Sequence, residues 1–152
     1  MAQEHLYEVS VKWDNDRKGT MSSSELNDKV EVATPPQFPK GMEGIWSPEH
    51  LFTAAVNSCL MTTFLSIAEN SKLEFKSFES KSLGKLEMIE GKYIMSEVTL
   101  MPVVTITKPE DKERAERVLQ KSEANCLISN SVKSKIIFQP SVIVDMPEPA
   151  IV

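Results

Sequence analysis

The chain has 152 residues, enough for one compact domain and too few for two of ordinary size. Hydrophobic residues make up 41% and charged residues 26%, the balance of a soluble globular protein. A net charge of -5 argues against nucleic acid or an anionic membrane surface as partner, since either favours a basic face.

The first ten residues, MAQEHLYEVS, lack a basic stretch followed by an apolar one, so a cytoplasmic location is expected. Tyr7, Val9, Val11 and Trp13 alternate with polar residues and predict a half-buried strand. Residues 14–19 (DNDRKG) predict a turn, and short strands follow around 21–24 and 29–33. Residues 34–44 are rich in Pro and Gly and predict an irregular surface loop.

Ser47-Pro48-Glu49 predicts a helix start: a capping hydroxyl, proline at the first helical position, and an acid at the positive dipole end. The helix is expected to run to about Asn70. Residues 51–68 carry no charge, near the lower limit for a membrane span, but Thr53, Asn57, Ser58, Thr62, Thr63 and Ser66 favour a buried helix instead. Apolar residues all round predict a central helix covered on most sides, by a wrapped sheet or a second subunit. Residues 73–88 and 93–107 predict two long strands joined at Glu90-Gly91-Lys92. Thr107-Lys108-Pro109-Glu110 fits a capping box opening a charged outer helix to about Ala124, with Cys126 just beyond it. Residues 136–144 predict a closing strand in which Pro140 marks an edge or a bulge. The order predicts one α+β domain over residues 1–152, mainly antiparallel.

Candidate chemistry is sparse. The only cysteines, Cys59 and Cys126, are too few for a disulfide framework and read either as small core residues or as a redox pair. Cys59 lies mid-helix, where pattern alone favours an inert thiol; to react it needs a nearby cation or hydrogen-bond donors. Glu49 reads as a first-turn acid and Arg17 as a solvated turn residue. Ten residues of regular helix put Glu49 about 15 Å from Cys59 and about 80° round the axis, excluding direct proton transfer within one helix. His5, His50, Cys59 and Cys126 lack the paired spacing of a zinc site, and no histidine is placed to partner Cys59. Phosphate-loop, dinucleotide, nucleophile-elbow and HExxH motifs are missing from the sequence.

The run Trp46-Ser47-Pro48-Glu49-His50-Leu51-Phe52, continuing through Ala54-Ala55 to Ser58-Cys59, resembles the PE-x-L-F…A-x-x-x-C helix of the OsmC/Ohr family. Ala124-Asn125-Cys126-Leu127-Ile128-Ser129 resembles that family's second cysteine motif, and the element order agrees over nearly the whole chain. Leu60 after the first cysteine and Leu127 after the second, where Ala-Cys-Phe and Cys-Pro-x-Ser are common, place the chain in an outlying OsmC-like branch. The resemblance implies curved antiparallel sheets around a long buried central helix, in an intertwined homodimer. It also implies reduction of organic hydroperoxides by a peroxidatic Cys59 and a resolving Cys126, through a sulfenic acid and a disulfide. Arg17, with Lys18 beside it as competitor, would stabilise the thiolate, and Glu49 would hold the guanidinium. An external dithiol, often of lipoyl type, would restore the thiols without metal or nucleotide cofactor. Phe38, Trp46, Phe52, Leu60 and Phe64 are expected to line the substrate cleft. The alternatives are a dimer that binds a small apolar or thiol ligand in the same cleft, and a redox sensor.

Overall fold

A computed structural model of the chain describes residues 3–146, which divide into two compact units at Leu51/Phe52. The division falls in the first turn of the long helix.

The first unit holds a three-stranded antiparallel sheet in the order β1 (Ser10–Asn15), β2 (Lys18–Ser22), β3 (Val30–Ala33). The predicted turn is narrower than 14–19: only Asp16 and Arg17 lie outside the strands, with Asp16 at φ 47°. The indole N–H of Trp13 donates to the Asp16 carbonyl at 3.1 Å and ties the turn down. Strand β1 is exposed on both faces, including Val11 (67%) and Trp13 (73%), rather than half-buried as expected. The alternation is real, but the apolar face is uncovered among the described residues. After β3 the chain is held by backbone bonds from Thr34 N–H to Arg17 C=O (3.2 Å) and from Ala33 N–H to Trp46 C=O (2.8 Å).

Helix α1 spans Pro48–Asn70, as its capping signals predict. The Ser47 hydroxyl accepts from the His50 N–H at 3.1 Å, and the Leu51 N–H reaches the Ser47 carbonyl. At its other end Lys72 takes φ 54°, and the Leu73 N–H returns to the Ala68 carbonyl at 2.9 Å, closing the last turn as a Schellman motif.

The second unit contains the rest of α1, the hairpin β4 (Ser77–Ile89) and β5 (Lys92–Ile106), helix α2 (Lys112–Ala124), and strands β6 (Lys135–Phe138) and β7 (Ser141–Val144). The hairpin turns at Glu90 (φ 49°) and Gly91 (φ 79°), two left-handed residues as a two-residue hairpin turn requires. The closing strand breaks at Gln139-Pro140 into β6 and β7, and both run parallel to β5. The sheet is therefore mixed, not wholly antiparallel. The predicted capping box is replaced by a 3-10 turn (Pro109–Asp111) leading into α2. Pro109 keeps Lys108 extended, so Lys108, not Thr107, occupies the cap position, without a side-chain bond.

Val56, Leu60, Phe64 and Ala68, four residues apart, form one stripe of α1 and are fully buried. They belong to two clusters with Val98, Leu100, Val104 and Ile106, the alternate inward residues of β5. This packing makes α1, which is long and apolar enough to cross a membrane, the core helix of a globular unit. Full burial is confined to that stripe: Met61 (39%) and Leu65 (42%) on other faces are exposed in the single chain.

Gly84 of β4 marks the closest approach of the hairpin to α1. A Cβ there would lie 2.1 Å from Thr53 Oγ1 and 2.8 Å from Met95 Cε. Gly84→Ala is expected to lower stability by about 1–3 kcal/mol, the usual cost of overpacking, and Thr53→Ala in the same chain should recover most of it. Thermal unfolding of the single and double variants measures both.

Candidate functional site

Both cysteines lie in the second unit, and the fold brings them together. Cys59, beside the buried stripe of α1, is partly exposed; Cys126, next after the C-cap of α2, is fully buried. The Cys126 sulfur sits 4.0 Å from the carbonyl of Val56, one turn before Cys59 on α1, and its thiol hydrogen-bonds the Cys59 sulfur. Both are free thiols.

The segment after α2 is shaped by its small polar residues. Asn125 Nδ2 donates to Lys121 C=O (2.8 Å) and Asn130 Nδ2 to Ala124 C=O (3.2 Å), satisfying carbonyls that the end of α2 would leave open. The Asn130 N–H reaches the Cys126 carbonyl at 3.0 Å, so the chain makes a new helical turn beginning at Cys126. The first amides of any such turn have no carbonyl of their own to bind. Those of Leu127 and Ile128 instead donate to the Cys59 sulfur.

These donors separate the two thiols. Burial pushes the Cys59 thiol up, but the Ile128 N–H, the Cys126 thiol, the Thr63 hydroxyl (3.9 Å) and the Leu127 N–H together outweigh it and hold Cys59 below its ordinary value. Burial pushes Cys126 up, the hydroxyl and N–H of Ser129 oppose it, and the neighbouring Cys59 charge adds to the rise. Cys59 is the more acidic thiol of the pair and Cys126 the less acidic. A lowered pKa makes the reactive form present above that pKa and lost as pH falls through it. Alkylation of Cys59 by iodoacetamide should accordingly reach half its maximal rate at a lower pH than alkylation of an ordinary cysteine in an unfolded peptide. Cys126→Ala removes one donor and should move that midpoint upward; an unmoved midpoint would contradict this account of the pair.

The remaining expected residues are placed as follows. Leu60 and Phe64 are core residues packed on the sheet, because their spacing from Val56 aims them at β5 and not at a cleft. Phe52 is partly buried against the Val56–Leu60 cluster. Arg17, Phe38, Trp46 and Glu49 lie in the first unit. Arg17 is exposed in the β1–β2 turn and borders an open depression with Trp13, Asp16, Lys40 and Met42. Lys18, its competitor, is committed to an ion pair with Glu31 at 2.6 Å. Glu49 occupies the first turn of α1. Phe38 is partly buried, and the exposed Trp46 meets the His50 ring edge-on. Thr63 and the amides of Leu127 and Ile128 were not foreseen. The spacing of Thr63, four residues after Cys59, is a helical-face signal; donation by backbone amides leaves no trace in side-chain identity.

Comparison with known proteins agrees with this architecture. Residues 39–141 match the family described as OsmC-like protein. An uncharacterized protein of Bacillus subtilis, YmaD, is 24% identical over 91% of this chain and 93% of its own length. An OsmC-like protein of unknown function from Vibrio cholerae superposes with a TM-score of 0.79 at 25% identity, covering 90% of this chain and 99% of that one. An organic hydroperoxide resistance protein OsmC from Legionella pneumophila gives a TM-score of 0.72 at 23% identity, over 93% and 100% of the two chains. With a family match over most of its length and the α+β architecture of these structures, the chain belongs to the OsmC-like protein family.

Proposed function

We propose that the protein is a thiol-dependent peroxidase that reduces organic hydroperoxides to alcohols. The observation that carries this reading is the asymmetric thiol pair: a partly exposed Cys59 made more acidic by hydrogen bonds, beside a buried Cys126 made less acidic by burial. A structural core cysteine needs no such donors.

The Cys59 thiolate attacks one oxygen of the hydroperoxide. The O–O bond breaks, the alkoxide leaves and is protonated to the alcohol, and Cys59 becomes a sulfenic acid. The Cys126 sulfur attacks the sulfenic sulfur, water leaves, and a Cys59–Cys126 disulfide forms. An external dithiol, of lipoyl type in this proposal, returns the two electrons by exchange. Arg17 is assigned to the thiolate and developing alkoxide, with Glu49 orienting its guanidinium. Phe38, Trp46 and Phe52 are assigned to the apolar lining that favours an organic peroxide over hydrogen peroxide. A homodimer is part of the proposal: Tyr7 and Val9 before β1, Val11 and Trp13 in it, and Met61 and Leu65 on α1, are apolar and exposed among the described residues of a single chain. The reducing chemistry suits the cytoplasm.

Consumption of cumene hydroperoxide by the purified protein, with dihydrolipoamide or dithiothreitol as reductant, tests the reading. Multiple turnovers, faster than with H2O2, are expected. Absence of turnover with both thiols intact would overturn it.

A further inference from the structure

The placement of the Ser129 hydroxyl is explained by neither peroxide attack nor folding. Its hydroxyl is buried and meets no oxygen or nitrogen partner among the described residues, which leaves the Cys126 sulfur as the group it acts on. A buried hydroxyl without an oxygen or nitrogen partner costs stability, so one retained in a native fold calls for a reason. The bond from the Asn130 N–H to the Cys126 carbonyl puts Cys126 and Ser129 in the same helical turn. At that spacing, three residues apart, the two side chains lie on one face. The hydroxyl therefore stands beside the Cys126 sulfur, and as a donor it acts on the ionised form of that sulfur.

Access points the same way. Cys126 is fully buried and Cys59 is partly exposed. Leaving-group chemistry alone would have an external thiolate attack Cys126 and expel Cys59, the more acidic thiol. An external sulfur cannot reach a side chain with no accessible surface, so attack falls on Cys59 and Cys126 becomes the leaving group. A buried thiolate released there needs a donor at once.

We propose that the Ser129 hydroxyl receives the Cys126 thiolate when an external thiol opens the disulfide by attack on Cys59, so that the reductant is joined to Cys59 and never to Cys126. This rests on the redox pairing of Cys59 with Cys126 proposed above. In the step itself, the reductant's thiolate forms a new S–S bond to Cys59 and the Cys59–Cys126 bond breaks. Its electron pair passes to Cys126, which is stabilised by the Ser129 O–H and then protonated. The second thiol of the dithiol attacks the reductant's own sulfur, releases Cys59 as thiolate and leaves as a disulfide.

The test separates the two half-reactions in Ser129→Ala. Wild type and variant are oxidised with diamide, so that the disulfide is formed without peroxide, and its reduction by dithiothreitol is followed in stopped flow. Ser129→Ala is expected to slow reduction about tenfold, the scale of one hydrogen bond to a charged group. Sulfenic acid formation at Cys59 with cumene hydroperoxide should keep its rate, and the variant should melt no lower than wild type. Acid-quenched reaction of the wild-type disulfide with 2-mercaptoethanol should place the adduct on Cys59 by peptide mapping. Unslowed reduction, equal slowing of both half-reactions, or an adduct on Cys126 would overturn the proposal; failure of diamide to join the cysteines would remove it together with the pairing. Slowed reduction in a protein that ignores peroxide would keep the Ser129 role and dismiss the peroxidase.

Discussion

Cys59→Ser is expected to lower turnover of cumene hydroperoxide by at least about 10³-fold, to the level of the uncatalysed reaction with dithiol. A serine hydroxyl is not ionised near neutral pH, so the donors from Ile128, Leu127, Thr63 and Cys126 have no anion to stabilise. Cys126→Ser should behave differently. Its hydroxyl can still donate to Cys59, so the first attack proceeds, but no disulfide can follow. One equivalent of alcohol should appear, with Cys59 left as sulfenic acid or oxidised further. Measuring alcohol released per protein chain distinguishes the two variants. Full multiple turnover in Cys59→Ser would remove Cys59 from the chemistry.

The second large effect is on stability. Phe64→Ala is expected to cost about 3–5 kcal/mol, the range for emptying a buried aromatic position. Phe64 is fully buried where α1 meets the sheet, 5.1 Å from the Phe75 ring in an edge-on contact and 4.8 Å from the Phe78 ring. It stands in the same cluster as Val104, Ile106 and Leu119, so the cavity would open between α1, β5 and α2. Neighbours fixed in helix and sheet cannot collapse far into it. Urea unfolding should show a lower midpoint with a similar slope; a loss under about 1 kcal/mol would mean that the clusters repack freely.

Much of the fold was legible because local signals and packing agree. Ser47, Pro48 and Glu49 mark the start of α1, and Glu90-Gly91 marks the hairpin, since each demands a backbone geometry that few other residues supply. Two features were not legible, for non-local reasons. Parallel pairing of residues 135–144 with β5 leaves no mark in a short apolar run, which looks the same in either direction. The apolar flank of α1 and the alternation through Trp13 state only that a face is to be covered, not by what; among the described residues of one chain it stays open. For the site, the two cysteines could be named from motif, and the structure adds why they differ. Cys59 meets amides from a turn some seventy positions later in the chain. Leu60 and Phe64, expected at the cleft, show the opposite case: a motif-based expectation yields to helical spacing that aims them into the core.

The most direct test is to add one equivalent of cumene hydroperoxide to the fully reduced protein without reductant, then count free thiols and map the peptides. Loss of both thiols, one equivalent of alcohol, and a single disulfide joining the peptides that carry Cys59 and Cys126 are expected. Two free thiols with the peroxide unconsumed, or oxidation confined to methionine, would contradict it.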